Sequence, residues 1–239
     1  MTLPVAILAG GLATRLRPIT EKIPKALVEV AGHPFIDHQL ALLRTHGYTR
    51  VVLCVGYLGE MLEQHLGDGA RFGMSISYVT DGPKLLGTGG ALRRALPWLG
   101  DSFFVLYGDS YLPCEYGSVE NAFQRSTKPA LMTVLKNNNR WDTSNVVYRD
   151  GLIVRYDKRT KSEDMQFIDY GLSALHARLL EKYEDGAAFD LSDVFLKLAS
   201  EGELAGFEVT ERFYEIGSPA GLAETALYLQ GLSKMHQIQ

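Results

Sequence analysis

Glycine, cation and carboxylate recur in this chain where phosphate chemistry would need them. Gly10-Gly11 ends one apolar run, Gly87-Thr88-Gly89-Gly90 opens a helical pattern, and Gly108 ends a second apolar run. A residue without a Cβ lets the backbone come close to phosphate oxygens and aim its N–H groups at them. Arg15 and Lys25 follow the first cluster within LAGGLATRLRPITEKIPKAL, residues 8–27, and a cationic loop of this kind suits a triphosphate. Asp109 comes directly after Gly108, so a carboxylate stands just past a strand end and offers hard oxygens to a divalent cation. Each feature also has a plainer reading: tight turns for the glycines, a solvated loop for the cations, a turn residue for the aspartate. Two familiar phosphate motifs are absent, since no GxxxxGK[ST] occurs and Ala13 breaks a GxGxxG after the first strand. Cys54 and Cys114 lie far apart without a CxxC, which indicates neither a disulfide framework nor a zinc site. His33, His38 and His46 make no ligand set.

These residues need elements to hold them. Val5–Ala9, Arg50–Val55 and Ser102–Tyr107 are short continuous apolar runs, each ended by glycine, and they read as strands buried on both faces. Between them the spacing predicts helices over Pro34–His46, Tyr57–Leu66 and Gly90–Leu99, and a further strand over Ser75–Val79. Alternating strand and helix implies βαβ units and a mostly parallel sheet. Ligands of such sheets sit at the carboxyl ends of the strands, the edge where the glycine clusters fall. The second half changes rhythm. Strands are expected at Ala130–Lys136, Asn145–Tyr148, Leu152–Tyr156 and Phe167–Leu175, and helices at His176–Glu184, Leu191–Ser200 and Pro219–Leu232. Asp190 or Ser192 is a candidate cap for the second helix, and Ser218-Pro219 opens the third.

The 239 residues carry 24 Lys+Arg against 28 Asp+Glu, a formal net charge of -4, which argues against a nucleic-acid-binding surface but leaves room for a local basic pocket. No apolar run approaches the ~20 residues of a membrane span, and the amino-terminal run is shorter and without a basic flank, so a cytoplasmic setting is the default. Glycine supplies 24 of the residues, about 10% against a usual ~7%, which makes its placement informative.

Taken together, Gly10-Gly11-x-x-Thr14-Arg15-Leu16 followed by Pro18, Thr20 and Pro24-Lys25 resembles the signature loop of the sugar-1-phosphate nucleotidyltransferases, GGxGTRLxPxTxxxPK, with Ala13 where glycine is common. Further segments match in order. Leu86-Gly87-Thr88-Gly89-Gly90-Ala91 resembles the segment that contacts base and ribose, and Tyr107-Gly108-Asp109-Ser110 the motif whose aspartate binds Mg²⁺. Lys158 is similar to a lysine that contacts sugar phosphate, and Ile168-Asp169-Tyr170-Gly171-Leu172 sits where the family has its sugar site. Tyr214-Glu215-Ile216-Gly217-Ser218-Pro219 resembles WxDIGTP, with Glu215 in place of the second metal aspartate.

The resemblance implies a Rossmann-like, doubly wound α/β fold with a β-rich sugar-binding portion, as one domain over 1–239: a nucleotide-binding part at 1–125, and a sugar-binding part with carboxyl-terminal helices at 126–239. It implies an Mg²⁺-dependent enzyme that joins an NTP and a sugar 1-phosphate to give an NDP-sugar and pyrophosphate. Leu8, Ala9, Gly10, Gly11, Thr14, Gly87, Thr88 and Gly89 would then bind nucleotide. Arg15, Lys25 and Asp109 would be catalytic, Lys158, Asp169 and Gly171 would bind sugar phosphate, and Asp109 with Glu215 would hold the metal. GYLGEMLEQHLGDGARFGMSISYV (56–79) and LGTGGALRRAL (86–96) look closest to the D-glycero-D-manno-heptose 1-phosphate guanylyltransferases, which supply surface polysaccharide synthesis. UTP, CTP or dTTP with N-acetylmuramate 1-phosphate, glucose 1-phosphate or a non-sugar phosphate are the alternatives, as is a non-catalytic nucleotide-sugar-binding protein. Neither nucleic acid nor membrane is an expected partner, and monomer and homo-oligomer both stay open.

Overall fold

The computed structural model describes residues 2–11 and 14–236. In the first half, β1 (Val5–Ala9) leads into a loop of short 3-10 turns and the small hairpin β2 (Glu29–Val30) and β3 (His33–Pro34). Then follow α1 (Phe35–Thr45), β4 (Arg50–Val55), α2 (Gly59–Leu66), β5 (Ser75–Thr80), α3 (Gly87–Leu99), β6 (Ser102–Tyr107), β7 (Ser110–Tyr111) and α4 (Tyr116–Ser126). The second half comprises β8 (Ala130–Lys136), β9 (Val146–Arg149), β10 (Leu152–Tyr156), β11 (Phe167–His176), α5 (Arg178–Glu181), α6 (Leu191–Ser200), β12 (Leu204–Val209), β13 (Tyr214–Glu215) and α7 (Pro219–His236).

Among the described residues one nine-stranded sheet runs β5-β4-β1-β6-β11-β8-β12-β10-β9. β1 pairs in parallel with β4 and β6, as Val5↔Val51 and Val5↔Phe104, and β4 pairs in parallel with β5. From β6 onward the pairing is antiparallel except for β8 with β12, so the β-rich second half extends the same sheet. This is the Rossmann-like α/β arrangement, with β5, β4, β1 and β6 as its continuous parallel part and β8–β12 as a separate parallel pair.

The apolar runs explain the two-sided burial. Along β1, Val5 and Ile7 face one core layer and Ala6 the other. β6 repeats the alternation, with Phe104 and Leu106 on the first face and Phe103 and Val105 on the second. Period-two placement of apolar residues on both faces is what a strand between two helical layers requires. A third core of Val28, Val30, Phe35, Tyr111, Ile216 and Leu229 joins the small hairpin to the β7–β13 ribbon and α7.

Differences from the sequence expectations lie at element ends and in several unforeseen elements. α3 begins at Gly87, three residues before the expected Gly90, because its first turn is tied to the segment before α6: the N–H groups of Gly89 and Gly90 donate to the Phe189 carbonyl at 2.9 and 3.2 Å. The helix expected over His176–Glu184 shrinks to Arg178–Glu181, since β11 runs on to His176, which pairs with Ser102. The sequence expectations include neither α4 and β12 nor the two-residue strands β2, β3, β7 and β13. Among the described residues no helix is long and apolar enough to cross a membrane.

Candidate active site

The carboxyl ends of β1, β4 and β6 open onto a cavity of about 270 Å³. Leu8, Ala9, Gly10, Gly11, Lys25, Gly87, Thr88 and Asp109 all line it. A second cavity, about 660 Å³, lies on the β-rich side and is lined by Arg15, Lys158, Asp169, Gly171, Glu215 and Trp141. Tyr107 and Asp109 line both. The last residue of β6 and the carboxylate two positions on therefore form the boundary between the two spaces.

Asp109 is held from several sides. Lys25 Nζ donates to its Oδ2 at 2.8 Å, and Ser110 Oγ donates to Oδ1 at 3.2 Å. Its carbonyl accepts the Ile216 N–H at 2.9 Å, which brings β13 beside it with Glu215 opposite Ser110. Lys25 and Asp109 are both partly shielded, with side chains 17% and 29% exposed, so the pair is screened less than an exposed one.

Glu215 turns back on its own chain. Ser218 Oγ donates to its Oε1 at 2.7 Å and the Gly217 N–H donates to Oε2. Thr225 Oγ1 donates to the Glu215 carbonyl at 2.8 Å. Ser218 also caps α7, accepting the Gly221 N–H at 3.0 Å, as its Ser-Pro start suggested. The carboxylate therefore sits at the positive end of α7. Gly217 is where the charged groups converge. A Cβ there would lie 2.6 Å from Glu215 Oε2, 3.1 Å from an Arg15 guanidinium nitrogen and 3.5 Å from Asp109 Oδ2. Two carboxylates and a guanidinium thus share one small volume that only a glycine leaves open.

That donor set fits a hard divalent cation. Among the described residues no three His, Cys, Asp or Glu side chains cluster. Mg²⁺ is commonly held by one or two carboxylates, with phosphate oxygens and water completing the shell. Both carboxylates already accept hydrogen bonds, Asp109 from Lys25 and Ser110 and Glu215 from the start of α7, but Asp109 lines both cavities whereas Glu215 lines the second alone.

In the second cavity Asp169 is 5% exposed and Lys158 Nζ lies 3.4 Å from its Oδ2. Tyr156 Oη and the Gly171 N–H donate to the same carboxylate at 3.5 and 3.1 Å. Burial works against the Lys158 charge, but Asp169, Tyr107 and Tyr156 outweigh it and hold the ammonium well above the ordinary lysine range. Trp141 lies on the same cavity, with the Arg140 and Arg212 guanidiniums 5.0 and 5.3 Å from its ring.

Not every expected residue faces a cavity. Thr14 is exposed in a 3-10 turn and lines neither space, and Ala13 lies outside the described residues. Gly89 lines neither because a Cβ there would collide with the Phe189 ring, so its role is packing. Asp190 does not cap α6: its Oδ1 accepts from Thr88 Oγ1 at 3.4 Å, while the Leu191 N–H donates to Thr88 Oγ1 at 2.8 Å. Two further carboxylates line the first cavity, Asp190, expected only as a cap, and Asp81, with no role expected from the sequence. Asp81 follows β5 as Asp109 follows β6, so the strand-end rule applied to β5 points to it. It is 8% exposed, and burial pushes its carboxyl above the ordinary range against the opposing Leu86 N–H and Arg94. Burial also raises the Cys54 thiol to about 12, with Asp81 adding to the shift, which leaves that cavity residue unreactive.

Residues 5–145 match the family model described as Nucleotidyl transferase. The chain is 33% identical over 240 residues to mannose-1-phosphate guanyltransferase 2 of Candida glabrata, covering 96% of this chain and 66% of that protein. It is 30% identical over 215 residues to UTP--glucose-1-phosphate uridylyltransferase of Synechocystis sp., covering 82% of this chain and 55% of that protein. The chain thus spans less than two thirds of the length of either relative. In fold it is similar to HddC from Yersinia pseudotuberculosis, solved with GMP-PN, at a TM-score of 0.81 and 22% identity over 95% of this chain and 100% of that one.

Proposed function

Because the chain belongs to the nucleotidyl transferase family, we propose that it joins a nucleoside triphosphate to a sugar 1-phosphate, releasing pyrophosphate and an NDP-sugar. The observation that carries this reading is the boundary: Asp109 lines both cavities, so a bond formed beside it would link what each one holds. In this reading the part at 1–125 supplies most of the nucleotide side and the part at 126–239 most of the acceptor side, with Arg15 and Asp190 each lining the other part's cavity.

Both reactants are anions, so the transition state needs charge neutralisation and alignment more than covalent help. Lys25 neutralises the triphosphate from its place beside Asp109, and Arg15 faces the second cavity where the attacking phosphate arrives. Lys158, kept charged by Asp169, binds the sugar phosphate. The acceptor phosphate is already ionised, so no residue has to remove a proton. Mg²⁺ held by Asp109, with Glu215 beside it, supplies electrostatic stabilisation of the phosphate oxygens when bound. Gly10 and Gly11 offer backbone N–H groups without a side chain in the way.

GTP is the proposed nucleotide, and heptose 1-phosphate for surface polysaccharide synthesis the proposed acceptor. Asp81 supports the base: a buried carboxylate is an acceptor, and guanine presents two adjacent donors on one edge where uracil and thymine present one. The guanyltransferase relative points the same way and the uridylyltransferase relative the other, so the nucleotide is what has to be measured. The test is a pyrophosphate-release screen of five NTPs against heptose, mannose, glucose and N-acetylmuramate 1-phosphates with Mg²⁺. Release with GTP and heptose 1-phosphate is expected. Release with UTP and glucose 1-phosphate instead would replace the substrate pair, and no release from any pair would sink the reading.

A further inference from the structure

Asp109 is set in place by a residue outside both cavities. Gln39 on α1 is 2% exposed, and its Nε2 donates to the Tyr107 carbonyl at 3.0 Å and the Ser110 carbonyl at 2.7 Å. Both protons of the amide are used, and the two carbonyls flank Gly108-Asp109. The Gly108 N–H donates to the Leu8 carbonyl at 2.9 Å, and the Asp109 carbonyl accepts from Ile216 at 2.9 Å. Residues 107–110 are thereby fastened to β1, to α1 and to β13.

The amide oxygen shows where the side chain's chemistry goes. Gln39 Oε1 is buried and has no hydrogen-bond partner. An unpaired buried acceptor costs stability, and an apolar side chain of similar size would avoid that cost. What the apolar residue would lose is the pair of donors on the turn. Glutamate would turn oxygen toward two carbonyl oxygens and repel them.

We propose that Gln39 is a positioning residue for the Asp109 carboxylate, its amide clamping the turn on both sides so that Asp109 meets the cation at the boundary of the two cavities. This rests on the reading of Asp109 as the metal carboxylate. Outer partners that orient metal ligands are typically worth 10–100-fold in metal affinity or activity.

The test compares Gln39→Leu, Gln39→Glu and Asp109→Asn with the unaltered protein. Mn²⁺ binding to the free protein is followed by electron paramagnetic resonance, the Mg²⁺ dependence of pyrophosphate release by kinetics, and folding by Tm. Both Gln39 variants are expected to weaken Mn²⁺ binding and raise the half-saturating Mg²⁺ by about tenfold or more. Acceptor KM at saturating Mg²⁺ should stay unchanged, which a general loosening of the fold would not produce. Should Gln39→Leu fail to fold, Gln39→Glu carries the test. Unaltered Mn²⁺ binding and Mg²⁺ dependence in a folded Gln39 variant would overturn the proposal while Asp109→Asn is strongly impaired. If Asp109→Asn itself binds Mn²⁺ and turns over normally, the metal reading of Asp109 fails, and this proposal with it.

Discussion

At the scale of single residues, the informative pairing is Lys25 with Asp109. A cation 2.8 Å from the proposed metal carboxylate must exchange that contact for phosphate oxygens once substrate and cation arrive. Lys25→Ala should therefore lower kcat/KM by about 10²–10³, the usual loss for one charge-stabilising donor. Steady-state kinetics on the best substrate pair would check it, and an unchanged kcat/KM would leave Lys25 as a structural partner of Asp109 alone. Asp81 carries the pH prediction. Its folded-state pKa is raised, so its stability contribution is full below the unfolded value and is lost as pH rises through the folded one. Asp81→Asn should then gain Tm over the unaltered protein by more at pH 7 than at pH 4.5, while weakening the preference for GTP. Equal gains at the two pH values would contradict the buried-charge account. Arg15, Lys25, Asp109 and Glu215 could be singled out in the sequence because each sits in a contiguous motif that resembles a family motif, and each lines one or both cavities. Gln39 and Tyr107 were not, since only the folded approach of α1 to the end of β6 gives them a role.

At the scale of elements, β1, β4, β6, β8, β10 and α6 could be read from their apolar patterns because each buries faces that its own periodicity describes. β12 was missed because Gly206 interrupts it and its parallel partner β8 lies far back in the chain. A Cβ at 206 would fall 2.6 Å from the Tyr148 ring, so the glycine is there for packing rather than as a turn. α4 carries only Tyr116, Val119, Glu120 and Phe123 inward among polar residues and Gly117, too thin a stripe to separate from a loop. The start of α3 shows the same dependence on distant partners. Gly87–Gly90 has poor intrinsic helix propensity, yet it becomes the first turn because the Phe189 carbonyl collects its N–H groups. The Phe189 ring stacks on Tyr183 with centroids 4.0 Å apart, so it cannot easily yield. Gly89→Ala should cost about 1–3 kcal/mol as an overpacked contact. Urea unfolding of Gly89→Ala with and without Phe189→Leu would check this. The second change should restore part of the loss, and additive losses would show that the ring is not the obstacle.

For the whole molecule, the two cavities meet at one carboxylate, and that arrangement dictates how substitutions combine. The net charge of -4 is compatible with the two anionic substrates proposed because the cations are local: Lys25 on the first space, Arg15 and Lys158 on the second. Asp81 and Lys158 line different cavities, so each should act on its own substrate. Asp81→Asn should alter NTP selectivity and leave acceptor KM alone, and Lys158→Met should raise acceptor KM and leave NTP KM alone. Sites without shared partners combine additively within about 0.3–0.5 kcal/mol, whereas sites in one network couple by about 0.5–3 kcal/mol. A double-mutant cycle on kcat/KM between Asp81→Asn and Lys158→Met should therefore give near-zero coupling. The cycle between Lys25→Ala and Asp109→Asn should couple strongly, because removing either partner already breaks the pair at the boundary. Strong coupling between Asp81 and Lys158 would mean that the spaces act as one site, and additivity of Lys25 with Asp109 would remove the boundary from the chemistry.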